Sequence, residues 1–465
     1  MSSDGPRLGT KVRALRRRHE LTQKELAHRL EISPSYLNLI EHNHRPLTAP
    51  LLIKLARLFN LDLAAFSSDD DGQLVDDLVE VFGDPLFDDP DFTNRDLRDL
   101  AATHPTVGRA IVKLYASWLG ARTAGAEVEA AGPLPSEEVS DFIQRRGNHF
   151  PELERAADAL HREAELDTHD LYASLVAHLQ ARHGVRVDVW DIEQMQGAVR
   201  RYDASRGRLL LSRVLPPRST NFQLAVQIAL LEHGALLDRL VADEELTAVS
   251  RPLARVALAN YFAGAVLMPY EPFLRLARSC RYDVELLGHH FRTSFEQVCH
   301  RLTTLQGEQK GVAFHLVRVD IAGNISKHFS ATGIRFPRFG AGCPRWNVYR
   351  AFQQPDRIRV QLSEMPEGGR FFCVARTIRR GHGGYKAAHT VHAIGLGVAL
   401  ADAPSLVYSD GIDLEADSTP VPIGVTCRLC PREDCEQRAF PRSGAPLRVD
   451  PDVRGASPYV TLGKG

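Results

Sequence analysis

The stretch 22-TQKELAHRLEISPSYLNLIE-41 predicts two short helices joined by a tight turn. Thr22 and Glu25 have the spacing of a capping box, in which each side chain bonds a backbone N–H at the helix start. Ser33 then precedes Pro34, a pair that is typical of the beginning of the next helix. Only about three residues separate the two helices, which is the spacing of a helix-turn-helix unit. The second helix of such a unit enters the major groove of DNA.

This second helix predicts a surface that reads DNA. Ser35, Tyr36 and Asn38 face outward on it, while Leu37 and Ile40 face inward. Donors on such a helix reach base edges, and donors beside it hold phosphates. The predicted DNA-binding residues are Arg16, Thr22, Gln23, Ser33, Ser35, Tyr36, Asn38, Asn43 and Arg45. The segments LTQKELA and SYLNLIEHNHRPL closely resemble the Cro/repressor-like (XRE-type) helix-turn-helix family, and the match covers residues 8–62.

The charge distribution agrees with a head that binds a polyanion. Residues 1–60 contain eleven Lys and Arg but five Asp and Glu, whereas residues 61–100 contain thirteen Asp and Glu but two Lys and Arg. A basic head followed by an acidic segment indicates one module that binds DNA and a second that does not. Half-sites with two-fold symmetry suit this type of head. We therefore expect a homodimer or higher homo-oligomer on a double-stranded operator.

The composition is that of an ordinary globular protein with several domains. The chain has 465 residues, of which 44% are hydrophobic and 25% charged. It contains no run of about 18 apolar residues and no apolar segment of a signal peptide near the start, so we expect a cytoplasmic protein that does not enter a membrane. Thiols stay reduced in that compartment, which makes a disulfide framework the least expected role for the seven cysteines.

Four domains are predicted, mainly α with an α/β C-terminal part. They are an all-α repressor-like head (1–66), an acidic helical connector (67–137), an α+β domain (138–310) and an α/β sensor-like domain (311–465). In the last domain GVAFHLVRVDI, RIRVQLSEM and GRFFCVARTI read as strands. The segments WNVYRAF and YKAAHTVHAIGLGVAL read as helices.

Residues 170–310 resemble the IrrE-type zinc metallopeptidase family, most specifically in ANYFAGAVLMP and SFEQVCHRLTTL. That family holds zinc with a His-Glu-x-x-His helix, because histidines four residues apart share one helix face. Aligned on FQLA (222–225), this chain has Val226, Gln227 and Leu230 at the three positions. Both histidine ligands and the general base are replaced. We therefore expect no enzyme, and a metallopeptidase acting on a partner regulator is the disfavoured alternative.

Two roles remain open for this metal-less domain. It is either a purely structural packing domain or a domain whose cleft has been reused for a small effector. The predicted effector-binding residues are Phe150, Arg201, Arg213 and Arg218, of which the arginines border the cleft and would bind effector phosphates.

The whole chain resembles the family of short-chain fatty acyl transcriptional regulators, which control acetate, glyoxylate-bypass and methylcitrate-cycle genes. The resemblance is carried by 147-GNHFPELERAADAL-160, 342-GCPRWNVYRAF-352 and 424-GVTCRLCPREDCEQRAFP-441. It implies regulation of acyl-CoA-related genes, with CoA or a short-chain acyl-CoA as the effector. It also implies an iron–sulfur cluster, which has been associated with some members.

Three cysteines in the last of these segments predict a metal centre. Cys427, Cys430 and Cys435 follow a Cys-x2-Cys-x4-Cys spacing, and x2 spacing brings thiolates to one centre. Zinc and [4Fe–4S] clusters both take four ligands, so spacing alone leaves the choice open. Cys343 is the predicted fourth ligand, because it lies in a Gly/Pro loop. The family resemblance favours a [4Fe–4S] cluster, with zinc as the alternative and no metal as the third option.

Overall fold

The computed structural model describes most of the chain, in several stretches. These are residues 12–13, 15–16, 19, 21–41, 45, 47–59, 70–84, 87, 93–124, 134–243, 246–307, 309–338, 341–381, 389–415, 420–442 and 457. The chain divides into two compact units. Residues 1–133, 337–340 and 425–465 form the first unit, and residues 134–336 and 341–424 form the second.

Three helices are delimited in the described part of the head, which belongs to the first unit. They are α1 (Gln23–Leu30), α2 (Pro34–Glu41) and α3 (Ala49–Phe59). The predicted capping box starts α1, since Thr22 Oγ1 accepts from the Glu25 N–H at 3.3 Å and Glu25 Oε2 accepts from the Thr22 N–H at 2.7 Å. Glu31 ends α1 in the left-handed region, with φ 58°, and turns the chain toward α2. The helices enclose an apolar core of Val12, Leu15, Leu26, Ala27, Leu30, Leu37, Ile40, Leu51 and Leu55.

The connector contributes three more helices to the first unit. They are α4 (Asp70–Phe82), α5 (Asn94–Thr103) and α6 (Pro105–Ala124). Leu74, Leu78, Leu97 and Ala101 are buried at helical spacing and join the three helices in one core. Among the acidic residues of this part that the structure describes, Asp96 is exposed and Asp77 is buried.

In the described residues of the second unit, nine α-helices precede the larger sheet. They are α7 (Pro135–Arg145), α8 (Pro151–Glu163), α9 (Leu171–His183), α10 (Pro217–Glu232), α11 (Gly234–Leu240), α12 (Ser250–Leu267), α13 (Tyr270–Ser279), α14 (Val284–His290) and α15 (Phe295–Leu302). Between α9 and α10 lies a small sheet of β1 (Arg186–Trp190), β2 (Arg200–Asp203) and β3 (Arg208–Ser212), in the order β1-β3-β2. β1 runs parallel to β3, and β2 runs antiparallel to it.

A six-stranded sheet completes the second unit. Its strands are β4 (His315–Asp320), β5 (Ile325–Ser330), β6 (Arg359–Glu364), β7 (Arg370–Arg380), β8 (Thr390–Ala399) and β9 (Val421–Pro422), in the order β5-β4-β8-β7-β6-β9. Neighbouring strands are antiparallel, except that β9 is parallel to β6. The short helix α16 (Asn347–Arg350) lies on this sheet and is linked to β7 by the Asn347 amide, which donates to the Cys373 carbonyl at 3.0 Å.

One apolar core runs through the second unit. Phe142, Phe262 and Phe273 from the helices belong to the same cluster as Phe314 and Phe372 from the sheet region. This core is continuous across residue 310, and the predicted domain bounds stay a prediction.

The predicted fold class is confirmed: helices predominate, and the C-terminal part contains a sheet. The prediction of a helix over 385–400 is wrong, since Thr390–Ala399 form β8, which pairs with both β4 and β7. Pairing on both edges overrides the local preference of this short apolar run. Among the described residues, no helix is both long and apolar enough to cross a membrane.

Candidate functional site

The second helix of the head presents an exposed polar face. Ser33 caps α2, since its hydroxyl oxygen accepts from the Tyr36 N–H at 3.1 Å. Ser35 and Asn38 are exposed on α2, whereas Tyr36 is half-buried against the head core. Thr22 is occupied as the cap of α1. The helix thus offers two exposed polar side chains toward a groove, and its DNA contacts stay a prediction.

Gln23 links the start of α1 to α2. Its amide donates to Asn38 Oδ1 at 3.1 Å and to Glu41 Oε2 at 3.0 Å. These bonds hold Asn38 in one orientation before any DNA is present. An oriented amide loses less conformational entropy when it bonds a base edge.

Arg16 is held inside the head. Its Nε donates to Glu41 Oε1 at 2.6 Å, its Nη2 to Glu41 Oε2 at 3.0 Å and its Nη1 to the Leu21 carbonyl at 3.1 Å. The side chains are 14% and 1% exposed, respectively. All three donor groups are therefore engaged within the head, which gives Arg16 a structural role here; its predicted DNA contact is untested.

The segment after α2 is only partly described. Arg45 is exposed, and its backbone N–H donates to the Leu39 carbonyl at 3.1 Å. This places an unburied guanidinium just beyond the C-terminal end of α2, where a phosphate contact was predicted. Asn43 lies outside the described residues.

The positions of the peptidase zinc helix are filled by packing residues. On α10, Val226 is 1% exposed and Gln227 is 3% exposed, and both lie in the core beneath α12. Nearby, Arg301 of α15 and Glu154 of α8 form a buried bidentate ion pair with N–O distances of 2.6 and 2.8 Å. Tyr261 of α12 donates to the same carboxylate at 2.6 Å. Apolar packing and this buried ion pair therefore both hold the interior of this domain.

The predicted effector residues do not converge on one contact set. Phe150 is 2% exposed and packs in the core against Phe142. Arg201 on β2 donates to the Met195 carbonyl at 3.4 Å. Arg213 is exposed and pairs with Asp191 at 3.0 Å, and Arg218 is exposed in the first turn of α10. Their effector role stays a prediction.

A small cavity of about 30 Å³ lies against the six-stranded sheet. Its lining is mainly apolar: Val317, Ile334, Phe336, Trp346, Val348, Leu396 and Ile423. His315 and Cys373 also reach it, with 3.5 Å between His315 Nε2 and Cys373 Sγ. Burial lowers the pKa of His315 to about 3 and raises the pKa of Cys373 to about 12. Both groups are therefore neutral, so the cavity suits an uncharged group.

Two glycines of β8 pack closely against residues that line this cavity. A Cβ at Gly395 would lie 3.0 Å from Val317 Cγ1 and 3.5 Å from Val348 Cβ. A Cβ at Gly397 would overlap the His315 ring. We did not predict the cavity, although the Gly-x-Gly pattern inside an apolar run was a signal, because glycine in a strand marks close approach of another group.

The three clustered cysteines surround a buried arginine in the first unit. Arg438 Nη1 donates to the Cys427 carbonyl at 2.7 Å, and its Nη2 donates to the Cys430 carbonyl at 2.9 Å. The backbone N–H of Ala439 points at Cys427 Sγ, 3.5 Å away. Burial raises the pKa of Cys430, while Arg438 opposes that shift. N–H groups and positive charge near sulfur are the surroundings that stabilise thiolate ligands.

The three thiols of this segment do not form a compact group in this structure. Among the described side chains, the sulfur atoms of Cys427, Cys430 and Cys435 do not all lie within 4.8 Å of one another. Thiolates at about 2.3 Å from one zinc ion would lie within about 4 Å of each other. The iron–sulfur cluster expected for this segment, with zinc as the alternative, stays a prediction. Cys343 is buried in the second unit, and its role as the fourth ligand is untested.

Three family profiles match successive parts of the chain. The profile described as helix-turn-helix matches residues 12–66. That of the IrrE N-terminal-like domain matches 180–303, and that of the short-chain fatty acyl coenzyme A regulator, C-terminal, matches 304–459. The three together span the head, the IrrE-like domain and the six-stranded sheet.

Curated relatives match along nearly the whole length. The HTH-type transcriptional regulator PrpR of Mycobacterium tuberculosis is 41% identical over 97% of this chain and 95% of its own. The HTH-type transcriptional regulator RamB of the same species is 40% identical over 97% and 98%. The propionyl-CoA carboxylase regulator of Cereibacter sphaeroides is 39% identical over 97% and 98%. A solved structure of a Mycobacterium tuberculosis transcriptional regulator is 44% identical and covers 71% of this chain and all of its own, with a TM-score of 0.68.

Proposed function

Since this chain belongs to the family of helix-turn-helix transcriptional regulators with a short-chain fatty acyl coenzyme A regulator C-terminal domain, we propose that a short-chain acyl-CoA controls its binding to operator DNA. The regulated genes would be those of acetate, propionate or glyoxylate metabolism. A homodimer or higher oligomer would place two heads on a two-fold operator.

The neutral, mainly apolar cavity against the six-stranded sheet carries this proposal. Its volume of about 30 Å³ is roughly twice the smallest space that holds one water molecule. In this proposal the cavity would hold an acyl chain of two or three carbons. On the old zinc face of α10, Val226 and Gln227 are buried in the core.

The cysteine segment would hold an iron–sulfur cluster as a second input. Cys427, Cys430 and Cys435 are the local ligands in this proposal, and Cys343 is the fourth thiolate predicted from the sequence. Such a cluster would add a response to oxygen or iron supply. A regulator without the cluster, held together by zinc, is the alternative for the same cysteines.

The first unit contains a route from this segment to the connector. Arg428, next to Cys427, donates to the Gly83 carbonyl at 3.4 Å and stacks on Phe440 at 5.2 Å. Gly83 directly follows α4, the first described helix after the head. A change in the cysteine segment would therefore reach the connector through a direct contact, which is what coupling between two sites requires.

The test is calorimetric titration of the full chain with acetyl-CoA, propionyl-CoA and free CoA. In Gly395→Ala the added methyl group enters the cavity, so propionyl-CoA should bind about 10-fold or more weakly, while free CoA is unaffected. Gly264→Ala is the matched control, because its Cβ meets nothing within 4 Å. Unchanged propionyl-CoA affinity in Gly395→Ala would show that the acyl group does not bind in this cavity. Failure of the unmodified chain to bind any CoA thioester would overturn the proposed function.

A further inference from the structure

Two histidines and a glutamate converge at one end of the helical part of the second unit. His178 Nε2 lies 2.6 Å from Glu232 Oε1, and His183 Nε2 lies 2.7 Å from the same oxygen. The three ligand atoms all lie within 4.8 Å of one another, and among the described residues no other group of three His, Cys, Asp or Glu side chains does this. The side chains are 11%, 22% and 13% exposed, so the group is sheltered but reachable from solvent.

The helices explain why a cation is favoured there. His183 is the last residue of α9, which Gly184 closes in the left-handed region, and Glu232 is the last residue of α10. The C-terminal end of a helix carries partial negative charge, so a carboxylate at that position is unfavourable unless a cation accompanies it. Here two helix ends and one carboxylate meet. Arg182 supplies some positive charge, with its Nε 3.7 Å from Glu232 Oε1, but its side chain is 59% exposed.

The ligand set suits a transition-metal ion. Zinc binds histidine nitrogen at about 2.0–2.1 Å and carboxylate oxygen at about 2.0–2.2 Å, so tetrahedral ligands lie about 3.3 Å apart. Each N–O distance would open by roughly 0.6 Å from its present value, which small rotations of the side chains supply. Each imidazole would carry its proton on Nδ1 and bind through Nε2. Three protein ligands leave a fourth position for water.

This group is separate from the peptidase zinc position. Leu230 occupies the second histidine position of that motif, and Glu232 follows two residues later. Each residue advances about 100° around an α-helix, so Glu232 points about 200° away from Leu230. The cluster therefore lies on the other face of α10, against α9, and contains none of the residues at the positions of the lost zinc motif.

We propose that His178, His183 and Glu232 form a binding site for a divalent transition-metal ion that takes nitrogen and oxygen ligands, such as zinc. The ion replaces the two hydrogen bonds on Glu232 Oε1 and joins the C-terminal ends of α9 and α10. This site is independent of the acyl-CoA cavity and of the cysteine segment.

The test uses the full chain, stripped with a chelator and titrated with zinc, with metal content and thermal unfolding measured together. His183→Gln and Glu232→Gln should each bind one zinc fewer per chain, or bind it at least about 100-fold more weakly. His289→Gln, an exposed histidine on α14, is the matched control and should behave as the unmodified chain. Zinc should raise the unfolding temperature of the unmodified chain and of this control more than that of the two variants.

The Glu232→Gln side chain keeps an oxygen that can accept hydrogen bonds from both histidines. This variant should therefore fold normally while its zinc binding is weakened. A folded Glu232→Gln chain with reduced zinc binding supports the proposal. Equal zinc stoichiometry and affinity in the unmodified chain, His183→Gln and Glu232→Gln would overturn it and leave the cluster as a hydrogen-bonded tie between two helices.

Discussion

Arg16 has two alternative roles in the head: it either binds a DNA phosphate or forms an ion pair with Glu41 that stabilises the fold. The change is Arg16→Met, which keeps most of the side-chain volume and removes the guanidinium. It leaves the Glu41 carboxylate, 1% exposed, with Gln23 as its remaining side-chain donor among the bonds described. Breaking one partner of a buried ion pair costs about 3–5 kcal/mol, and the 14% exposure of Arg16 places this pair at the lower end, about 3 kcal/mol.

The assay is hydrogen exchange of residues 22–41 in the full chain, followed by mass spectrometry. A loss of about 3 kcal/mol corresponds to roughly 100-fold faster exchange through opening of the head. Binding to non-specific double-stranded DNA should keep its salt dependence, because Arg16 neutralises Glu41 and no phosphate. Arg45→Met is the matched change at an exposed position, and it should leave exchange in α1 and α2 unaltered while reducing the slope of log K against log salt by about 0.9. The structural role of Arg16 would be refuted if hydrogen exchange in Arg16→Met were unaltered and the slope of log K against log salt were reduced by about 0.9.

Further predictions concern the second unit and the cysteine segment. Arg301→Met should lower the unfolding free energy by about 3–5 kcal/mol, because it leaves Glu154 charged and buried, and a loss below about 1 kcal/mol in denaturant titration would contradict this. Burial alone would raise the pKa of Glu154, but the charge and hydrogen bonds of Arg301 outweigh burial and lower it. The ion pair therefore stabilises the fold at pH values above the pKa of Glu154 in the unfolded chain, and this stabilisation is lost as the pH falls through the pKa of Glu154 in the folded chain. The deficit of Arg301→Met should therefore shrink toward acid pH. Cys430→Ser purified without oxygen should lose iron and sulfide, while Cys280→Ser keeps both; a colourless unmodified chain with one zinc would exclude the cluster.

Local signals allowed the head to be predicted closely. The capping box of Thr22 and Glu25 and the Ser33 cap depend on residues three positions apart, so the sequence alone displays them. The loss of the zinc helix was equally visible, because a motif on one helix needs no tertiary information. Packing of Val226 in the core then follows from its apolar side chain.

Contacts between distant segments could not be predicted in the same way. Arg16 was assigned to DNA because its partner Glu41 is 25 residues away, and a basic residue near a DNA-reading helix is ambiguous without that contact. The group of His178, His183 and Glu232 was not predicted, because the two histidines lie on α9 and the glutamate lies at the end of α10. The strand β8 was predicted as a helix because a short apolar run with two glycines shows neither the helical periodicity of 3.6 residues nor the strand alternation of two clearly.

The cavity needed the three-dimensional structure for a different reason. Its walls come from β4, α16, β7 and β8, and only the register that sets Cys373 beside Gly397 brings His315 to its edge. Strand register depends on the whole sheet and not on any one segment.

Operator affinity with and without acyl-CoA tests the central claim most directly. The full chain would first select its preferred duplex from a pool of random DNA, and the dissociation constant for that duplex would then be measured with acetyl-CoA, propionyl-CoA or free CoA at one fixed salt concentration. The account predicts that at least one short-chain thioester changes this constant by about 5-fold to 150-fold, the usual range for coupled sites, and that free CoA changes it less. An identical constant with every thioester, measured at concentrations that saturate the protein, would contradict it.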